Sequence, residues 1–301
     1  MSEGPRSRRP VVVVGAVVSV VVLAAVGFAV VRSRDTPPAP VAQQVAVPAY
    51  ISPVSDRSAW DRLFAADCGS VGLVVANPAS GPGAGPDPAW LDVMTRAHAS
   101  GKKVLGYVDS GYLGRTGKAT RGGAAAPADW QAQIESDVAH WYQWYPGVVD
   151  GIFLDQGDSQ CGAGDAVAAR YRAIDDAVAK AHPGATTALN AGMPVPRCFE
   201  DAADVLVTYE NNLSDYATGA YRGLDWTPAD PAKVWHIVHG VPADQVDDVA
   251  ATARSRGAGW VYATDDGLPN PYDTLPAGGY WRDEVHAVPG RPPGTAHESA
   301  P

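Results

Sequence analysis

The sequence is poor in cysteine and lacks the motifs of several common active sites. Three cysteines in 301 residues are too few for a disulfide scaffold. No G-x-G-x-x-G fingerprint follows the first strand-like segment, and neither a phosphate-binding loop nor a G-x-S-x-G elbow is present. The histidines and acidic residues form no cluster with the spacing of metal ligands. We therefore expect no metal, no nucleotide cofactor and no serine or thiol nucleophile, which leaves carboxylate chemistry.

Positive charge is also scarce, and part of it lies at the N-terminal end. The formal net charge is −10, with 23 Lys and Arg against 33 Asp and Glu. Residues 1–35 hold five arginines and two acidic residues, a net charge of +3, so the rest of the chain carries −13. An acidic domain without a basic stripe argues against nucleic acid as a partner. It suits a neutral or cationic ligand.

The N-terminal region is typical of a membrane anchor. A basic stretch, residues 1–10, precedes residues 11–31, which contain no charge and are long enough to cross a bilayer. Three arginines before this segment and two after it favour a cytoplasmic N-terminus. We predict a single-pass transmembrane signal anchor at 11–31 in the cell membrane, with an extracytoplasmic domain. The alternative is a cleaved signal peptide and a secreted protein.

Residues 32–45 form a predicted Pro-rich linker, and residues 288–301 a predicted disordered tail. Between them, residues 46–287 alternate strand-like apolar runs with helix-like segments, the pattern of a parallel sheet. Strands are predicted at 45–51, 71–77, 103–109, 148–155, 187–190, 205–209, 234–238 and 260–264. Helices are predicted at 59–66, 88–100, 128–145, 165–181, 199–203 and 243–256. Eight such units predict an α/β fold, the (β/α)8 TIM barrel.

The C-terminal ends of barrel strands meet at one mouth, where such folds place their chemistry. Asp155 ends the fourth predicted strand and Glu210 follows the sixth. Cleavage of a glycosidic bond needs two carboxyl groups, one to donate a proton and one to act as nucleophile or base. Other strand ends carry amides, acids and aromatic rings that would bind a sugar: Tyr50, Asn77, Tyr107, Asp109, Gln156, Asn190, Tyr209, Trp235 and Asp265.

Structural roles compete with several of these interpretations. Asp155 and Asp109 could cap the turns that follow them, and Asp265 could shape a turn. Tyr107 and Trp235 could instead fill the barrel core.

The cysteines separate into a pair and a single residue. Cys161 and Cys198 each follow a predicted strand at the same rim, so we predict that they form a disulfide outside the cytosol. Cys68 precedes a strand and is predicted to be a buried free thiol.

Six segments at the strand ends resemble the spherulation-specific (spherulin-4) family. They are 47–50 (VPAY), 76–83 (ANPASGPG), 106–108 (GYV), 150–155 (DGIFLD), 190–192 (NAG) and 209–210 (YE). The resemblance implies a TIM barrel and a retaining glycoside hydrolase acting on polysaccharide that contains galactosamine or N-acetylgalactosamine. It further implies that Asp155 and Glu210 are the catalytic carboxylates. We assign Asp155 as nucleophile or charge stabiliser and Glu210 as general acid/base.

One departure from the family pattern leaves the function open. The position after Asp155 often holds an acid in the family, and here it holds Gln156, which cannot transfer a proton. A catalytically inactive carbohydrate-binding protein at the cell surface is therefore the second hypothesis, and a structural surface protein the third. The 150–155 strand is also similar to that of chitinase-like barrels, in which the substrate's N-acetyl group is the nucleophile. The acidic domain favours a cationic, partly deacetylated aminosugar polymer as substrate.

Overall fold

The computed structural model describes residues 42–218 and 226–290, and in this part of the chain eight parallel strands close into a barrel. The strands are paired in chain order, with β8 returning to β1. They are β1 Gln44–Ala49, β2 Val71–Ala76, β3 Lys103–Asp109, β4 Gly151–Asp155, β5 Thr186–Asn190, β6 Val205–Asn212, β7 Val234–His239 and β8 Trp260–Thr264. The predicted TIM barrel is confirmed.

Helices surround the barrel and cover the outer faces of its strands. They are α1 Arg57–Ala65, α2 Pro88–Ala99, α3 Pro127–Trp144, α4 Ala166–Ala181, α5 Leu213–Ala217, α6 Val246–Ser255 and α7 Gly278–Ala287. Short 3-10 turns occur at Gly111–Gly114, Ala163–Asp165, Arg197–Phe199, Pro231–Lys233 and Ala243–Gln245. The helix predicted at 199–203 is such a turn, and α5 and α7 were not predicted.

Strand ends and helix starts follow from local chemistry. Strands such as β2 and β7 are buried on both faces because the barrel interior lies on one side and the helices on the other. At α2, the Asp87 side chain accepts a hydrogen bond from the Ala89 amide at 2.8 Å, and Pro88 occupies the first helical position. Inside the barrel, Phe153 packs against Trp235 and Tyr107, with ring centroids 5.5 and 6.1 Å apart.

The barrel extends slightly beyond its predicted limits at both ends. Strand β1 begins at Gln44, inside the predicted linker, and Gln43 forms an antiparallel bridge with Gly290. Val288 is buried, so the first residues of the predicted tail are ordered and pack against the barrel. The predicted anchor at 11–31 lies outside the described residues. Within 42–218 and 226–290, no helix is long and apolar enough to cross a membrane.

Candidate active site

Asp155 and Glu210 come together at the C-terminal mouth of the barrel, on either side of β5. The side-chain nitrogen of Asn190, the last residue of β5, donates to Asp155 Oδ1 at 2.7 Å and to Glu210 Oε2 at 2.5 Å. Because one nitrogen is bonded to both oxygens, those two oxygens lie no more than about 5 Å apart. Three neighbouring strands thus bring the two predicted carboxylates and one predicted amide into direct contact.

Three tyrosines surround the carboxylate pair. Tyr107 donates its hydroxyl to Asp155 Oδ2 at 2.5 Å, and Tyr272 donates to Glu210 Oε1 at 2.6 Å. Tyr50 packs edge-on against both rings, with centroid distances of 5.5 Å to Tyr107 and 5.6 Å to Tyr272. All four carboxylate oxygens are therefore held by hydrogen bonds, and each carboxylate has one fixed orientation.

Burial and the charges of the two carboxylates shift the pKa values of the groups at the mouth. Burial, followed by repulsion from Glu210, raises the pKa of Asp155 to about 6. Hydrogen bonds from Tyr107, the Gln156 amide and Asn190 oppose this rise because they stabilise the ionised form. Burial also raises the pKa of Tyr50, Tyr107 and Tyr272, which therefore keep their hydroxyl protons.

Gln156 and Asp109 lie at the rim and share a partner that the sequence analysis missed. Lys118 Nζ is 2.7 Å from Asp109 Oδ2 and 2.6 Å from Gln156 Oε1. Because the ammonium group is only a donor, the Gln156 amide oxygen must face Lys118. Lys118 lies in the loop between β3 and α3, where no strand end marks it in the sequence.

Four residues predicted to bind substrate have other roles or lie apart from the pair. Tyr209 faces outward, where its ring packs on Tyr216 at 4.6 Å and its hydroxyl donates to the Asn212 carbonyl. Trp235 is fully buried in the barrel core below the mouth. Asn77 accepts from the Gly81 amide and holds the β2–α2 loop, and Asp265 is exposed on the rim after β8.

The outward position of Tyr209 has an identifiable cause. The pairing register of β6 with β7 shifts between Val207 and Tyr209, which breaks the inward–outward alternation of the strand. The same irregularity allows Glu210 to face inward. Tyr209 is therefore not part of the site, although its neighbour is.

A disulfide joins Cys161, in the β4–α4 loop, to Cys198, in the loop after β5. These two cysteines and Asp165 are the one grouping of three metal-ligand side chains within the described ranges, and the disulfide removes both thiols as ligands. Cys68 is a free cysteine as predicted, but it is exposed rather than buried.

These observations define a TIM barrel with paired, hydrogen-bonded carboxylates at its C-terminal mouth. The chain matches the spherulation-specific family 4 over residues 44–288, and it belongs to that family. Spherulin-4 of Physarum polycephalum is 34% identical over 112 residues, which is 36% of this chain and 28% of that protein. The match thus spans under a third of that relative's length.

Among solved structures, the chain is similar to Sph3 of Aspergillus clavatus, which was crystallised in complex with GalNAc. The TM-score is 0.64 at 20% sequence identity, and the match covers 83% of this chain and 98% of Sph3. At this identity the similarity shows a shared fold.

Proposed function

We propose that this protein is a glycoside hydrolase that cleaves polysaccharide containing N-acetylgalactosamine or galactosamine. The observation that carries the proposal is the contact of Asp155 and Glu210 with the same Asn190 nitrogen at the barrel mouth. Two carboxyl groups at this spacing are the machinery that glycosidic cleavage requires. The sugar is proposed from family membership and from the GalNAc present in the Sph3 crystal structure.

Two carboxylate oxygens no more than about 5 Å apart support a retaining mechanism, because an inverting enzyme needs about 6.5 to 9.5 Å to admit water between the carboxyl groups. Asp155 accepts three hydrogen bonds, which suit an ionised nucleophile. In the first step an Asp155 oxygen bonds to the anomeric carbon as the glycosidic C–O bond breaks, and Glu210 gives its proton to the leaving oxygen. Water then attacks that carbon, Glu210 takes the water's proton, and Asp155 is released.

The Cys161–Cys198 disulfide supports an extracytoplasmic location, because disulfides persist in oxidising compartments. We propose that the barrel lies outside the cytosol, either anchored through residues 11–31 or secreted after signal cleavage. The negative charge of the chain favours a cationic, partly deacetylated polymer over a neutral one.

The test is reducing-end release from partly deacetylated poly-N-acetylgalactosamine. We expect release by the purified protein and a loss of at least about 100-fold in Asp155→Asn and in Glu210→Gln, since each variant removes a group that acts in both steps. Asp244→Asn, at an exposed position, is the matched control and should behave as the parent protein does. NMR of the first product should show the anomeric configuration of the substrate.

A carbohydrate-binding protein without activity is the second candidate, and the amide at Gln156 favours it. That candidate would be correct if the parent protein bound the polymer without releasing reducing ends. Release that is equal in the parent protein and both carboxylate variants would contradict the hydrolase proposal itself.

A further inference from the structure

Four consecutive residues of the β3–α3 loop have left-handed backbone conformations beside the carboxylate pair. The φ angles of the turn Gly111–Gly114 are +52°, +54°, +51° and +77°. Glycine adopts this conformation freely, whereas a residue with a Cβ atom is disfavoured there by about 1–2 kcal/mol. Tyr112 and Leu113 are therefore both strained, and the fold must hold them in place.

The turn is fixed on both sides. The Tyr112 amide donates to the Gln156 carbonyl at 2.7 Å, and the Ser110 hydroxyl donates to the Asp155 carbonyl at 2.7 Å. A Cβ atom on Gly111 would lie 2.2 Å from the Trp130 ring, so the turn also packs tightly against α3. These contacts tie the turn to the end of β4, which carries Asp155.

Packing accounts for one of the two strained residues and not for the other. Leu113 is 1% exposed, so the conformation that directs its side chain into the core is stabilised by apolar burial. Tyr112 remains partly exposed and gains less from burial. Strain that packing does not explain is concentrated at functional sites in proteins.

The phenol of Tyr112 lies in the electrostatic field of the active site. Partial burial, then the negative charges of Asp155, Glu210 and Asp109, raise the pKa of Tyr112. Its hydroxyl forms no hydrogen bond to any residue that the structure describes. By contrast, the hydroxyls of Tyr107 and Tyr272 are already bound to the carboxylates.

We propose that Tyr112 is a substrate-binding residue, presented by the left-handed turn so that its hydroxyl and ring contact the sugar beside Asp155. The hydroxyl would donate to a ring-substituent oxygen of the aminosugar, and the aromatic face would cover an apolar face of the pyranose. This inference rests on the proposed function of the same mouth.

The test distinguishes a substrate-binding role of Tyr112 from a purely structural role. Asn tolerates the left-handed conformation and is much smaller than Tyr, so Tyr112→Asn should relieve strain while removing the sugar contact. We expect an unchanged or higher Tm and a KM for N-acetylgalactosamine oligosaccharides raised about tenfold or more, with a smaller change in kcat. Tyr112→Phe keeps the ring and should raise KM by roughly three- to tenfold, the effect of one hydrogen bond.

Asp165→Gly is the control for a substitution at another left-handed residue. Asp165 is exposed with φ of +60° and makes no helix-capping hydrogen bond, so this variant should leave KM unchanged. A Tyr112→Asn protein with the parent KM would overturn the inference. A Tyr112→Asn protein with both a lower Tm and a lower activity would also overturn it, because that result would show a purely structural role.

If the parent protein cleaves nothing, the hydrolase proposal fails. Calorimetric binding of the same oligosaccharides then tests the Tyr112 contact separately. Binding weakened about tenfold in Tyr112→Asn supports the contact. Equal binding, or no binding by the parent protein, overturns it.

Discussion

At the end of β4 the side chain beside Asp155 is an amide, Gln156, where the family resemblance led us to expect an acid. The proposed mechanism needs no acid there, because Asp155 and Glu210 supply both carboxyl groups and are linked through Asn190. We predict that Gln156→Glu gives no more than about a threefold gain in kcat. A new carboxylate next to Asp155 should raise the pKa of Asp155 further. Because the nucleophile must be ionised, the acidic limb of the kcat/KM profile, expected near pH 6 from the pKa of Asp155, should move to higher pH.

Gln160→Glu is the matched control for this experiment. Gln160 lies in the same loop and also accepts a hydrogen bond from a cation, Arg115, at 2.9 Å, but it is exposed. The same added charge should leave the pH profile in place there. A large gain in turnover in Gln156→Glu would contradict the prediction and identify residue 156 as a missing acid.

Residues at regular strand ends could be predicted from the sequence, and residues outside them could not. Asp155 and Asn190 end apolar runs, so their positions at the mouth follow from barrel geometry. Tyr272 and Lys118 reach the site from loops of no fixed geometry, which no periodicity reveals. Tyr209 was expected at the mouth because it ends the sixth predicted strand, but after a register shift in β6 its ring packs on Tyr216 instead.

Strands and helices also differed in how well the sequence predicted them. Apolar runs bounded by turns were sufficient to predict all eight strands. Helix α7 was missed because it begins with two glycines and its buried face includes Tyr280 and Glu284, so it lacks a clear apolar stripe.

The disulfide links two elements of the rim, the β4–α4 loop and the turn Arg197–Phe199 after β5. The two cysteines are 37 residues apart, so the loop-entropy relation gives a stabilisation of about 4 kcal/mol. We predict that the double variant Cys161→Ser, Cys198→Ser lowers the free energy of unfolding in urea by roughly that amount. Cys68→Ser, which changes an exposed free thiol, should shift it by less than about 0.5 kcal/mol. Equal stability of the double variant and the parent protein would contradict the prediction.

At the scale of the whole molecule, a buried acid that no sequence pattern singles out contributes to the closure of the barrel. Strands β8 and β1 pair only at Gln44–Trp260 and Val45–Val261. Above this short seam, the Ala263 amide donates instead to Glu284 Oε1 of α7 at 2.7 Å. Glu284 is 2% exposed, and its second oxygen has no hydrogen-bond partner among the described residues. The last helix thus completes the barrel with a carboxyl group where a strand would otherwise pair.

This carboxyl group makes the stability of the barrel depend on pH. Burial, opposed by the Ala263 hydrogen bond and reinforced by Asp265, raises the pKa of Glu284 to about 8. The folded state therefore holds a proton that the unfolded chain releases near pH 4.5. Stability from this group is complete below pH 4.5 and is lost as pH rises to about 8, by about 1.4 kcal/mol per pH unit at most.

Glu284→Gln mimics the protonated acid and cannot ionise, so it isolates this dependence. We predict that the variant matches the parent protein in urea unfolding near pH 5 and becomes increasingly more stable than it up to about pH 8. Above that pH the difference should level off, because Glu284 is then ionised in both states of the parent protein. Asp283→Asn, on the adjacent exposed side chain, should show no such trend. A constant difference between Glu284→Gln and the parent protein at every pH would mean that Glu284 does not hold its proton in the fold, and that the seam is closed by an ionised carboxylate instead.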